Sequence, residues 1–125
     1  MAKAHPATEL SLKKLRADSR FLLVEKVEHN IPRPGRGFPV KRDLFEIIDI
    51  LAVGPGITMG VQCTSVGGVS DRKRKLIEHP NTRIVLAAGW QLEIWGWHQP
   101  AGPRSRWELG RRHHFELDFP DQETP

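Results

Sequence analysis

Apolar and polar positions alternate with different periods along the chain, and the changes of period mark its elements. In ATELSLKKLRAD, Leu12 and Leu15 share a face and Glu9 lies one turn before Leu12 and Lys13, which predicts a short helix over 6–18 with Pro6 in its first turn. RFLLVEKVEH (20–29) is rich in Val, Leu and Phe and predicts a strand, and NIPRPGRGFP (30–39) a basic loop. KRDLFEIIDILAV (41–53) is too β-branched for a comfortable helix and predicts one long buried strand. Gly54-Pro55-Gly56 then turns the chain into a second strand, ITMGVQCTSV (57–66). GGVSDRKRKLIEH (67–79) reads as a turn and a helix capped by Ser70 or Asp71, ended by Pro80. Asn81 caps a second short helix, TRIVLAA, which Gly89 stops. WQLEIWGWH (90–98) and RWELGRRHHFELDF (106–119) are the last strands, the latter with Trp107, Leu109, Phe115, Leu117 and Phe119 on one parity. This order predicts a single α/β domain over 1–119, a mixed central β-sheet flanked by helices, followed by an acidic tail at 120–125.

Composition narrows the class. A chain of 125 residues, 38% hydrophobic and 27% charged, has enough apolar surface for one core and is not of disordered composition. The single cysteine, Cys63, excludes an internal disulfide framework and a multi-cysteine zinc site. No apolar run is long enough for a membrane span and the start MAKAHPATELSLKK lacks an apolar leader, so no membrane and a reducing compartment are expected. Charge is unevenly spread: the last ten residues hold four acids and no base, leaving 19 bases against 11 acids, a net +8, over 1–115. Such a body suits a polyanion, nucleic acid first, although a merely soluble basic surface has the same signature.

The chemistry centres on one anomalous acid. On an extended 41–53, Asp43, Phe45, Ile47, Asp49, Leu51 and Val53 share a side, which sets Asp49 among apolar neighbours where an ionised carboxylate needs a metal, a base or several hydrogen bonds. The bland alternative is a carboxylate that accepts backbone N–H groups at a sheet end. A hairpin centred near 55–56 places Asp49 opposite residue 61 or 62, so that Asp49, Gln62 and Thr64 converge on oxygen donors suited to a hard divalent ion. Taken alone, Gln62 and Thr64 are an ordinary polar strand face. Trp90, Trp95, Trp97 and Trp107 suit core or interface packing better than base stacking, no histidine has zinc-site spacing, and Cys63 reads as a small buried hydrophobe.

DLFEIIDILAV, a glycine-containing turn and then GVQCTS before a basic helix resemble the core of the PD-(D/E)xK nuclease superfamily, especially its small Holliday-junction-resolvase-like and phage-encoded branches. The resemblance runs over residues 6–98 and implies a restriction-endonuclease-like core of helix-strand-strand-strand-helix-strand order. It implies a metal-dependent DNA endonuclease using Mg²⁺ or Mn²⁺ on branched or phage DNA. Matched residue by residue, Asp49 stands for the Asp that ends the second strand, Gln62 for the acid and Thr64 for the lysine of the acid-x-Lys triplet. The Cys63 backbone carbonyl matches a metal ligand and Glu9 the first-helix Glu of resolvase-like members. Gln62 keeps an oxygen but loses a charge, and Thr64 has no positive charge to offer a phosphate. Lys73 or Lys75 can reach back to substitute, or RKRK (72–75) can serve as a phosphate clamp or a solvated helix face. The expected DNA contacts are Arg33, Arg36, Arg72, Lys73, Arg74 and Lys75, joined by the arginines of 104–112. Duplex or branched DNA is the implied partner, a homodimer a further one, and the cytoplasm of a bacterium or phage-infected host the implied location. Two other readings stay open: a catalytically impaired nucleic-acid-binding module of the same fold, and an interaction protein whose Trp-rich strand joins subunits.

Overall fold

The computed structural model describes residues 6–31 and 40–117, so Arg33, Arg36 and the acidic tail lie outside the described residues. Helix α1 (Ala7–Arg16) buries Ala7, Ser11, Leu12 and Leu15 along one face, and places Glu9 in its first turn and Lys13, Lys14 and Arg16 in its last, as the helix dipole favours. Strands β1 (Leu23–Lys26), β4 (Ile50–Gly54), β5 (Ile57–Ser65), β6 (Gln91–His98) and β7 (Glu108–His114) form one sheet in the order β1-β4-β5-β6-β7; β2 (His29–Ile31) and β3 (Val40–Arg42) pair separately. Only the β5–β6 pair is parallel, which makes the sheet mixed. The crossover between them carries a 3₁₀ turn at Val66–Gly68, α2 (Val69–Glu78) and α3 (Pro80–Ala87). The molecule is an α/β fold with helices on both faces of the sheet.

Strand parity builds two cores. Val24, Ile50, Ala52, Met59, Val61, Cys63, Trp95 and Trp97 point to the α1 side, where the Trp97 Nε1–H donates to Ser11 Oγ at 2.8 Å. Leu92 and Ile94 point the other way, onto Val69 and Leu76 of α2 and Val85 and Leu86 of α3. Both faces of β5 and β6 are buried along most of their length, which encloses the polar Gln62, Thr64 and Glu93 as well as the apolar residues. Glu93 lies on the tryptophan side of β6 and is buried, with Trp95 Nε1 (2.8 Å) and Arg112 Nη2 (2.7 Å) on Oε1 and His114 Nδ1 (2.9 Å) on Oε2. Burial opposes its ionisation, but these donors outweigh it and hold the carboxyl below its ordinary value. Glu93→Ala strands a buried indole N–H and a guanidinium, so urea melts at pH 7 should show a loss of about 3 kcal/mol. A loss within about 0.5 kcal/mol, the range of ordinary surface substitutions, would reduce the cluster to a surface ion pair.

Several expectations are corrected. Residues 41–53 are not one strand: β3 ends at Arg42, Leu44 bridges Ile48, and β4 begins at Ile50. Ile47 and Ile48 are adjacent yet both fully buried in the same core, which a strand with alternating sides does not allow. The segment 20–29 likewise divides, with Glu28 just before β2. Pro80 opens α3 rather than only closing α2, and the cap is His79, whose Nδ1 accepts the Asn81 N–H at 3.1 Å. Neither Ser70 nor Asp71 caps α2; its N-cap is Gly68, and Asp71 pairs instead with Arg74 and Lys75. In β7 the register passes from Gly96↔Arg111 to Trp97↔Leu109, leaving Gly110 as a bulge. That extra residue reverses parity, so Trp107 and Leu109 pack on the α1 core while Phe115 enters the opposite one.

Candidate functional site

Asp49 stands at the end of the β4–β5 ladder, where the register Ile50↔Val61 extends to set it across from Gln62. Its backbone ties two neighbours: the N–H donates to Val61 O at 3.0 Å and the carbonyl accepts the Val27 N–H at 2.8 Å. The side chain, only 4% exposed, accepts the Cys63 N–H on Oδ2 at 2.8 Å. This is the backbone-capped carboxylate of the bland reading, but it does not stand alone.

Carboxylate oxygens of Glu28, Asp43 and Asp49 all lie within 4.8 Å of one another. The fold brings them from three segments: Glu28 from the β1–β2 link, Asp43 from the end of β3, and Asp49 from the start of β4. On an extended strand Asp43 and Asp49 would be about 20 Å apart. They meet because residues 44–47 reverse direction, with Ile47 N–H donating to Leu44 O at 3.1 Å and both Phe45 (φ 54°) and Glu46 (φ 68°) in the left-handed region. Burial pushes the Asp49 carboxyl up to about 8; the Cys63 N–H opposes the rise, and the neighbouring Asp43 and Glu28 charges add to it. Three hard oxygen donors, one of them buried among like charges, form a set that a divalent cation would satisfy.

The other expected site residues separate into two groups. Gln62 is buried, donates Nε2 to Ile47 O at 3.2 Å, and lines a cleft of about 480 Å³ together with Asp43, Glu46, Arg72, Lys75 and His79. Cys63 meets Asp49 through its amide N–H, and in an extended strand its carbonyl leaves the same edge. Burial pushes its thiol up to about 12, so it is no nucleophile at neutral pH. Thr64 is buried under the 3₁₀ turn, so close that a Cβ added at Gly68 would come within 2.2 Å of Thr64 Oγ1. It packs there and presents no cation. Glu9 is exposed on α1 and is not among the three clustered acids, so the described geometry does not bring it to the site. Arg72 and Lys75 reach the cleft, whereas Lys73 and Arg74 lie exposed on α2, Arg74 paired with Asp71.

Sequence reasoning missed Glu28 and Asp43 as partners of Asp49. Asp43 had a signal in its shared parity, but at an extended spacing that spoke against contact; Glu28 had none, because a link between strands carries no periodicity. No described helix is long and apolar enough to cross a membrane. No family model, curated protein or solved structure matches the chain.

Proposed function

We propose that the protein is a metal-dependent phosphodiesterase acting on DNA, built on a PD-(D/E)xK-like core in which Glu28 and Asp43 supply the charge that Gln62 lacks. The observation that carries this reading is the convergence of Glu28, Asp43 and Asp49 beside Gln62 and the Cys63 peptide. Glu28, Asp43 and Asp49 would hold Mg²⁺ or Mn²⁺. Bound there, such an ion supplies charge neutralisation at a phosphate oxygen and a water of lowered pKa. The chain's own residues do the rest. Cys63 N–H fixes the orientation of the Asp49 carboxylate, and Gln62 holds the Ile47 carbonyl and with it the turn that carries Asp43. Arg72 and Lys75 line the cleft next to Asp43 and offer cations to a phosphate, in the part that Thr64 cannot play.

The test is cleavage of supercoiled, linear and four-way DNA in Mg²⁺ or Mn²⁺, with Asp49→Asn as the control. Cutting that depends on the ion and disappears in the variant is the expected result; cutting that persists in the variant sinks the assignment. A second reading, a DNA-binding module that no longer cuts, is favoured by the enclosed Thr64 at the motif position of the lysine. The same assay separates the two, since that module binds DNA without any Asp49-dependent cleavage.

A further inference from the structure

The turn that joins two of the three acids carries an aromatic ring in a place that folding does not explain. Phe45 and Glu46 occupy the left-handed region at φ 54° and 68°. Consecutive positive-φ positions in a two-residue turn are those that Asn-Gly fills without strain, and a bulky L-residue there costs on the order of 1 kcal/mol. The strain is held from outside: Asn81 Nδ2 donates to Phe45 O at 3.0 Å, and His79 Nε2 lies 3.0 Å from Glu46 Oε1. Because His79 Nδ1 accepts the Asn81 N–H, the neutral ring carries its proton on Nε2 and donates it to Glu46. Helix α3 and its cap therefore clamp both strained residues.

The ring so held is not a core residue. Phe45 is 48% exposed, with its centroid 6.0 Å from that of Trp90 at an interplanar angle of 44°. Trp90 is partly buried against the α2–α3 core and backs the phenyl ring from within. Glu46, its neighbour in sequence, and Asp43, two residues before Phe45, line the cleft that also holds Arg72 and Lys75. The turn that carries Glu46 and Asp43 to the cleft with its two cations, and Asp43 to the candidate metal site, thus carries a supported aromatic face as well. Nucleic acid strands bind without sequence preference through this combination, phosphates on cations and bases on aromatic faces.

We infer that Phe45, backed by Trp90, is a stacking platform for an unpaired base, so that the site takes single-stranded or strand-end DNA rather than the interior of a duplex. In an intact duplex both faces of each base are covered by their neighbours, and an exposed ring finds nothing to stack on. The inference rests on the DNA reading above and narrows its substrate class.

Fluorescence anisotropy in EDTA, with a fluorescein-labelled oligothymidylate alone and paired with oligoadenylate, tests it without any cleavage. The wild type should bind the single strand more tightly than the duplex. Phe45→Leu, which keeps an apolar side chain but no π face, should weaken single-strand binding roughly ten-fold and leave duplex binding unmoved, and Phe45→Trp should restore it. Thermal melts of both variants establish that they are folded. Equal single-strand affinity for Phe45→Leu and wild type, a preference for duplex, or no binding to either probe overturns the inference. Phe45-dependent binding without ion-dependent cutting would leave the platform standing and remove the phosphodiesterase; Asp49-dependent cutting indifferent to Phe45 would do the reverse.

Discussion

Asp49→Asn is expected to melt well above the wild type at pH 8 in EDTA, with the advantage shrinking as the pH falls and vanishing near pH 4. The sign follows from where the proton sits. The folded Asp49 carboxyl titrates at about 8 against an ordinary value of 3.8, because it is buried and faces Asp43 and Glu28. Below pH 4 both folded and unfolded chains hold the proton, and the buried group is neutral at no penalty. Between pH 4 and pH 8 the unfolded chain releases a proton that the folded one retains, so wild-type stability falls by up to about 1.4 kcal/mol per pH unit from this group. Above pH 8 both states are ionised and the loss levels off. Asparagine keeps an oxygen for the Cys63 N–H and never ionises. At pH 8 the gain should be on the order of several kcal/mol, or roughly 10–20 °C in melting temperature. Thermal melts of both proteins from pH 4 to pH 9 check it, and parallel curves across that range would mean that Asp49 is already ionised and compensated in the fold.

The pH-dependent cost explains why the most legible part of the sequence was also the part that held the site. Asp49 stood out because Ile47, Leu51 and Val53 share its parity; Ile47 is fully buried, while Leu51 and Val53 are only half-buried. Counting residues about Gly54-Pro55-Gly56 placed it opposite residue 61 or 62, since a tight hairpin leaves little freedom of register, and the ladder sets it across from Gln62. Helix α1 followed from its Leu12–Leu15 stripe, and the burial of Trp95 and Trp97 from their shared strand face.

What sequence could not supply were the tertiary overrides of local pattern. Phe45 and Glu46 carry no glycine or asparagine signal for a turn, and the clamp that holds them comes from His79 and Asn81, more than thirty positions away by the bonds' own separations of 33 and 36 residues. The missed turn made a continuous strand the natural reading of 41–53 and kept Asp43 away from Asp49. Gly110 was visible as a residue but not as a bulge, because a bulge is defined by its partner strand, and without it the parity of Phe115 came out on the wrong face. Glu93 drew no attention because its donors, Arg112 and His114, come from β7 and meet it only across the ladder.

Charge removal at the three acids should move stability and ion affinity in opposite directions, and this is the sharpest test of their common role. Glu28→Gln and Asp43→Asn each delete a negative neighbour that raises the Asp49 pKa. In EDTA at pH 8 each variant should therefore be as stable as the wild type or more so. In the presence of Mn²⁺ the order should invert. A unit charge about 4 Å from a cation is worth on the order of 4 kcal/mol per cation charge at an effective dielectric of 20, before the cost of stripping its water is subtracted. Loss of one carboxylate should thus weaken Mn²⁺ binding by somewhere between ten-fold and a thousand-fold, followed by electron paramagnetic resonance of the free ion. Mn²⁺ should raise the wild-type melting temperature at pH 8 and leave Asp49→Asn unmoved, as binding to the folded state alone requires. If Glu28→Gln and Asp43→Asn bind Mn²⁺ as tightly as the wild type, the three acids do not share an ion. If all of them, wild type included, bind none, the cluster is an electrostatic strain that the fold carries without using it for a metal.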